Sequence, residues 1–170
     1  MKNVLEANMK NVLESLLVQA RTVFEASGHH SNIMLVHVGD QVSCVAIIYN
    51  SPDAKDKHAA LVKQIMREPD FQWIALIMEA WYSEATEEVL AYIRAGGRLQ
   101  DRPEARQEQL LVNFVNRSSQ EIWAAKITRD AAGTPTLGPW VQSVTIGPGL
   151  AAVCPTRFGD LHDQMARDCN

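Results

Sequence analysis

Phe71-Gln-Trp-Ile-Ala-Leu-Ile-Met-Glu-Ala-Trp-Tyr82 decides the fold. Only Gln72 and Glu79 interrupt its apolar and aromatic run. Split by strand parity, Trp73, Ala75, Ile77 and Trp81 share one face, while Ile74, Leu76, Met78 and Ala80 share the other. A strand apolar on both faces is covered on both, in mid-sheet under helices. A carboxylate near its end, Glu79, is therefore conspicuous.

Upstream, Ser51-Pro52-Asp53 reads as a helix start, with Ser at the N-cap and Pro at the first helical position. Leu61, Val62, Ile65 and Met66 supply its buried stripe, and Pro69 ends it. Before that, strands over 33–38 and 41–49 flank Gly39-Asp40, a two-residue hairpin loop. Pairing across the loop sets His37 opposite Val42 and Leu35 opposite Cys44. His37 then reads as a half-buried, hydrogen-bonded residue, and Cys44 as a small buried one. Val12, Leu13, Leu16, Leu17, Ala20, Val23 and Phe24 follow helical spacing, and Gly28 suits a left-handed cap. Met1-Lys-Asn-Val-Leu-Glu6 recurs as Met9-Lys-Asn-Val-Leu-Glu14, so residues 1–8 read as a duplicated extension, expected to fray or to pack on a neighbour.

Downstream, 83–95 reads as a helix with Glu84, Glu87 and Glu88 at its start, Arg94 at its end and Gly96-Gly97 beyond. Residues 98–109 contain Pro103 and form a surface connection. Strands over 110–116 and 121–129 make a second hairpin around Arg117-Ser-Ser-Gln120, setting Phe114, Val112 and Leu110 opposite Trp123, Ala125 and Ile127. Asn113, Lys126 and Thr128 fall on its wetter face. A last strand covers 141–146, and 147–170 is a loosely ordered tail. The expected fold is one α+β domain over 1–170, a mainly antiparallel sheet of five or six strands. Two or three helices pack on one of its faces, in the order αββα-β-(α)-βββ.

Apolar residues at 46% and charged residues at 21% describe a soluble globular chain. A net charge of −4 argues against a nucleic-acid binder. No apolar run approaches a membrane span, and the start lacks a leader pattern, so the expected place is the cytoplasm. Cys44, Cys154 and Cys169 show no metal-like spacing, and neither do His29, His30, His37, His58 and His162. No metal and no cofactor are expected, and no Gly-x-Ser-x-Gly elbow appears.

Glu79-Ala80-Trp81, then Pro103-Glu-Ala-Arg106-Gln-Glu108 before a strand, then Leu137-Gly138-Pro139-Trp140 after a turn resemble a family of small uncharacterised bacterial and phage proteins. Its members carry Glu-Ala-Trp, Pro-x-x-Arg-x-Glu and Leu-Gly-x-Trp. The resemblance covers 69–141 and implies no substrate. Here 84–98 is a longer insert between the first two motifs.

The residues themselves offer one polar constellation. Glu79 ends a buried strand, and desolvating a carboxylate costs roughly several kcal/mol unless a cation or donors meet it. Arg106, from the loop feeding the next strand, is the expected partner, with Glu108 beside it. The pair is either a strut pinning that loop or, in a cleft walled by Trp81, the acid–base site of a small enzyme. The strut is the stronger reading. Trp81, Trp123 and Trp140 near strand ends are core residues or interface anchors. Trp81, Trp140 and His37 are thus the binding candidates. The expected function is binding or oligomerisation, with exposed sheet edges pairing two copies as a homodimer.

Overall fold

Apolar side chains on both faces of Phe71–Tyr82 demand cover on both, and the chain supplies it. A computed structural model describes residues 2–48, 52–83, 86–97, 101 and 107–146. Its elements are α1 (Lys2–Ser27), β1 (Ile33–Val38), β2 (Gln41–Ala46), α2 (Pro52–Ile65), β3 (Phe71–Tyr82), α3 (Glu87–Arg94), β4 (Gln107–Asn116), β5 (Gln120–Arg129) and β6 (Pro135–Ile146). The fold is α+β, with one open six-stranded antiparallel sheet in the order β2-β1-β3-β4-β5-β6. β3 and β4 are the two middle strands. Trp73 to Met78 are buried without a break, as are Leu110 to Asn116.

By its internal contacts the chain divides into two compact units. Among the described residues, the first holds α1, the second half of β3, α3, most of β4, the later part of β5 and β6 to residue 143. The second holds β1, β2, α2, the first half of β3, the end of β4, the start of β5 and the end of β6 from residue 144.

In the first unit, α1 buries Leu13, Leu16, Leu17, Ala20 and Phe24, a single stripe at helical spacing. Residues 2–6 of the first copy of the six-residue repeat and the whole of the second lie on this helix, and their eight-residue offset is about two turns. Gly28 ends it at φ +74°, donating its N–H to the Phe24 carbonyl at 2.7 Å. Arg21 ties α1 to β6: it donates to the carbonyls of Leu137 and Gly138, and its guanidinium lies 6.0 Å from the Trp140 ring centroid. α3 starts at Glu87, later than expected, where the Thr86 hydroxyl accepts from the Val89 N–H. The last strand starts at Pro135, earlier than expected, after a turn in which Asp130 accepts from the N–H groups of Ala132 and Thr134. Pro135 and Pro139 are admissible there because β6 is an edge strand.

In the second unit the first hairpin has the expected register, with His37 opposite Val42 and Leu35 opposite Cys44. Cys44, however, is exposed rather than buried. The reason is positional: β2 is an edge strand, and all six of its residues are exposed. Along α2, Val62 is buried and Leu61 is exposed, so its buried stripe is narrower than the sequence suggests. Two groups hold the entry to β3. The Gly39 N–H donates to the Asp70 carbonyl at 2.9 Å. Arg117 donates to the carbonyls of Glu68, Pro69 and Phe71. The β4–β5 loop is 117–119, one residue shorter than expected, and the Asn116 side chain accepts from the N–H groups of Ser118 and Ser119. Asn113, placed on the wetter face by strand parity, is instead buried, because β4 is covered on both faces. Its carbonyl oxygen accepts from Gln120 Nε2 at 2.9 Å, so the side chain does not go unpaired.

Candidate functional site

β3 leaves the buried interior at its last four residues, and there its polar chemistry begins. Met78 is buried, Glu79 and Ala80 are half-buried, and Trp81 is 47% exposed. Tyr82 closes the strand by donating its hydroxyl to Gln107 Oε1 at 2.8 Å, which fixes the end of β3 against the start of β4. Glu108 follows Gln107 on β4, so strand pairing alone sets Glu108 beside the β3 terminus.

The Glu79 carboxylate accepts a short hydrogen bond from the His30 main-chain N–H. The Glu79 N–H donates to Asn32 Oδ1 at 3.2 Å. Glu79 is thus a clasp for the segment between α1 and β1. His30 is buried, and its ring Nδ1 lies 2.7 Å from the Ser31 carbonyl, so the segment satisfies its own polar groups locally. Glu108 has a different partner: Arg129 Nε lies 2.9 Å from its Oε2, with both side chains more than one-third exposed. Such a surface pair contributes about 0.5 kcal/mol.

Glu79, Ala80, Trp81 and Glu108 line an open cleft of about 330 Å³. Three of the residues singled out in the sequence, Glu79, Trp81 and Glu108, therefore meet at one place. Arg106 lies outside the described residues, as does the tail from residue 147 with Cys154, His162 and Cys169. Trp81 is a wall residue rather than a core residue. Trp140 is half-buried beneath Arg21, and His37 is half-buried edge-on to Trp73, with ring centroids 5.5 Å apart. Neither lines the cleft among the described residues. The buried Nδ1 of His37 meets no hydrogen-bond partner among the described residues, and the ring packs edge-on against Trp73.

Sequence reasoning missed His30, Asn32 and Arg129. Their one signal was polarity at element ends, because His29-His30-Ser31-Asn32 immediately precedes β1 and Arg129 ends β5. Strand order decides which ends become neighbours. Among the described residues no three His, Cys, Asp or Glu side chains converge as metal ligands, and no helix is long and apolar enough to cross a membrane. The chain matches no protein-family model, no curated protein and no solved structure.

Proposed function

We propose that this chain is a self-associating binding domain of bacterial or phage type, working in the cytoplasm with protein rather than nucleic acid as its partner. Two copies join through β2 to form a homodimer. One observation carries the reading: β2 is an edge strand exposed at every residue, with Val42 58% and Val45 43% exposed on its opposite faces. An edge strand presents a row of main-chain donors and acceptors, and isolated folds usually guard it with charge, proline or a bulge. Gln41-Val-Ser-Cys-Val-Ala46 has no charge and no proline.

The strand also suits its own copy. An antiparallel pair centred on Ser43 sets Val42 against Cys44 twice and Gln41 against Val45 twice, with no like charges opposed. The two sheets then continue into one.

Multi-angle light scattering tests this. The wild-type chain is expected at the mass of two copies, and Val45→Lys at the mass of one with an unchanged circular dichroism spectrum. A wild-type chain that stays monomeric at about 100 μM sinks the reading.

The second reading is a small enzyme with Glu79 as acid or base beside Arg106, and the open cleft favours it. Against it, the Glu79 carboxylate already accepts from the His30 N–H. A proton-transfer or hydrolytic activity abolished by Glu79→Gln would replace the first reading by the second.

A further inference from the structure

Along α2 only Val62 is buried among the described side chains, although the helix has the spacing of one that packs a whole stripe. Leu61 is 42% exposed, and Ala54, His58 and Ile65 are half-buried. These four stand at i, i+4, i+7 and i+11, along one flank of the helix, and none of them is Asp, Glu, Lys or Arg.

The order of the strands fixes where that flank points. β2 pairs antiparallel with β1, and β1 lies between β2 and β3 in an antiparallel sheet, so β2 and β3 run the same way. α2 joins them by crossing over β1, and α2, β1, β2 and the start of β3 all belong to the second unit. Crossovers between strands that run the same way are right-handed. A right-handed helix on such a crossover turns Ala59 and Lys63 toward β3. It turns the flank of Ala54, His58, Leu61 and Ile65 toward β2, the open edge.

We propose that a second copy covers this flank: when two β2 edges pair, α2 packs against the partner's α2 over the joined strands, with Leu61 nearest the two-fold axis. The inference rests on the β2 pairing and gives it a second layer. Two six-residue strands make a marginal pair by themselves, whereas stable interfaces bury about 1,200–2,000 Å² in total. Strands lie about 4.8 Å apart, so the axis falls about 7 Å beyond β1. A leucine on the near flank of a helix lying over β1 reaches it. A flank without acidic or basic residues also meets its own copy with no like charges opposed.

Light scattering over a dilution series of the full chain tests this. Leu61→Lys is expected to raise the dissociation constant of the dimer at least about tenfold, since it opposes two lysines across the axis. Its circular dichroism spectrum stays that of the wild type, because Leu61 is already 42% exposed. Leu61→Met is expected to dimerise like the wild type. Should Leu61→Lys fail to fold, cross-linking answers the same question. With the three native cysteines replaced by serine, Leu61→Cys is expected to be joined into dimers by a short bis-maleimide, and Lys63→Cys, on the other flank, is not. A wild-type chain that stays monomeric at about 100 μM sinks the β2 pairing and this layer together. A wild-type dimer broken by Val45→Lys but unchanged by Leu61→Lys overturns the α2 layer alone, as does equal cross-linking from positions 61 and 63.

Discussion

Glu79 illustrates how one side chain acquires its role from what it touches. Its carboxylate satisfies a main-chain N–H on a buried residue, His30, so removing it strands a donor rather than merely deleting a charge. Glu79→Ala is expected to destabilise the fold by about 1–3 kcal/mol. Glu79→Gln, which retains the acceptor, is expected to cost under about 1 kcal/mol. Urea denaturation measures both, and equal losses would mean that charge rather than hydrogen bonding matters at this position. Gly28 is the matching case for backbone geometry. At φ +74°, with Pro135 Cγ 3.2 Å from where a Cβ would stand, Gly28→Ala is expected to cost about 1–2 kcal/mol in the same assay. A neutral result there would mean that the left-handed cap plays no part in ending α1.

Elements in this chain obey local rules where their neighbours leave them free, and depart from them where burial intervenes. The first hairpin keeps the register that Gly39-Asp40 and the alternating apolar residues imply. In the second hairpin, Asn113 and Gln120 are buried although both are polar, and one hydrogen bond, from Gln120 Nε2 to Asn113 Oδ1, joins them. Gln120 is fully buried, so Gln120→Ala loses a hydrogen bond and leaves a void. Its expected cost is about 2–3 kcal/mol in the urea midpoint. A change within about 0.5 kcal/mol would show that the pair is incidental to the hairpin. β2 shows the opposite departure. Its sequence is that of a half-buried strand, yet all six of its residues are exposed.

Across the molecule, strand position within the sheet sets a gradient of protection. β3 and β4 lie third and fourth in the order, buried on both faces for much of their length. Their amides are expected to exchange with deuterium most slowly, on the scale of global unfolding, while the outward amides of β2 exchange through local opening. If two copies pair, β2 protection rises with protein concentration and that of β3 does not. Hydrogen exchange at about 5 and about 200 μM reads both at once. Concentration-independent exchange in β2 would count against the dimer, while fast exchange in β3 would count against the sheet order itself.

What could be read without tertiary structure was whatever depends on residues near one another in the chain. The α+β order, the start of β3, the turn at Gly39-Asp40 and its register, the Gly28 cap and the stripe on α1 all follow from local periodicity and turn chemistry. Glu79, Trp81 and Glu108 were legible as candidates because each interrupts or ends an apolar run. Their partners were not. His30 and Asn32 reach Glu79 because β1 pairs with β3, and Arg129 reaches Glu108 because β5 pairs with β4. The same pairing order buries Asn113 and leaves Cys44 exposed. Sequence periodicity reports which face of an element is apolar. Only the assembled sheet decides whether another element covers that face, because cover is supplied by segments far away in the chain.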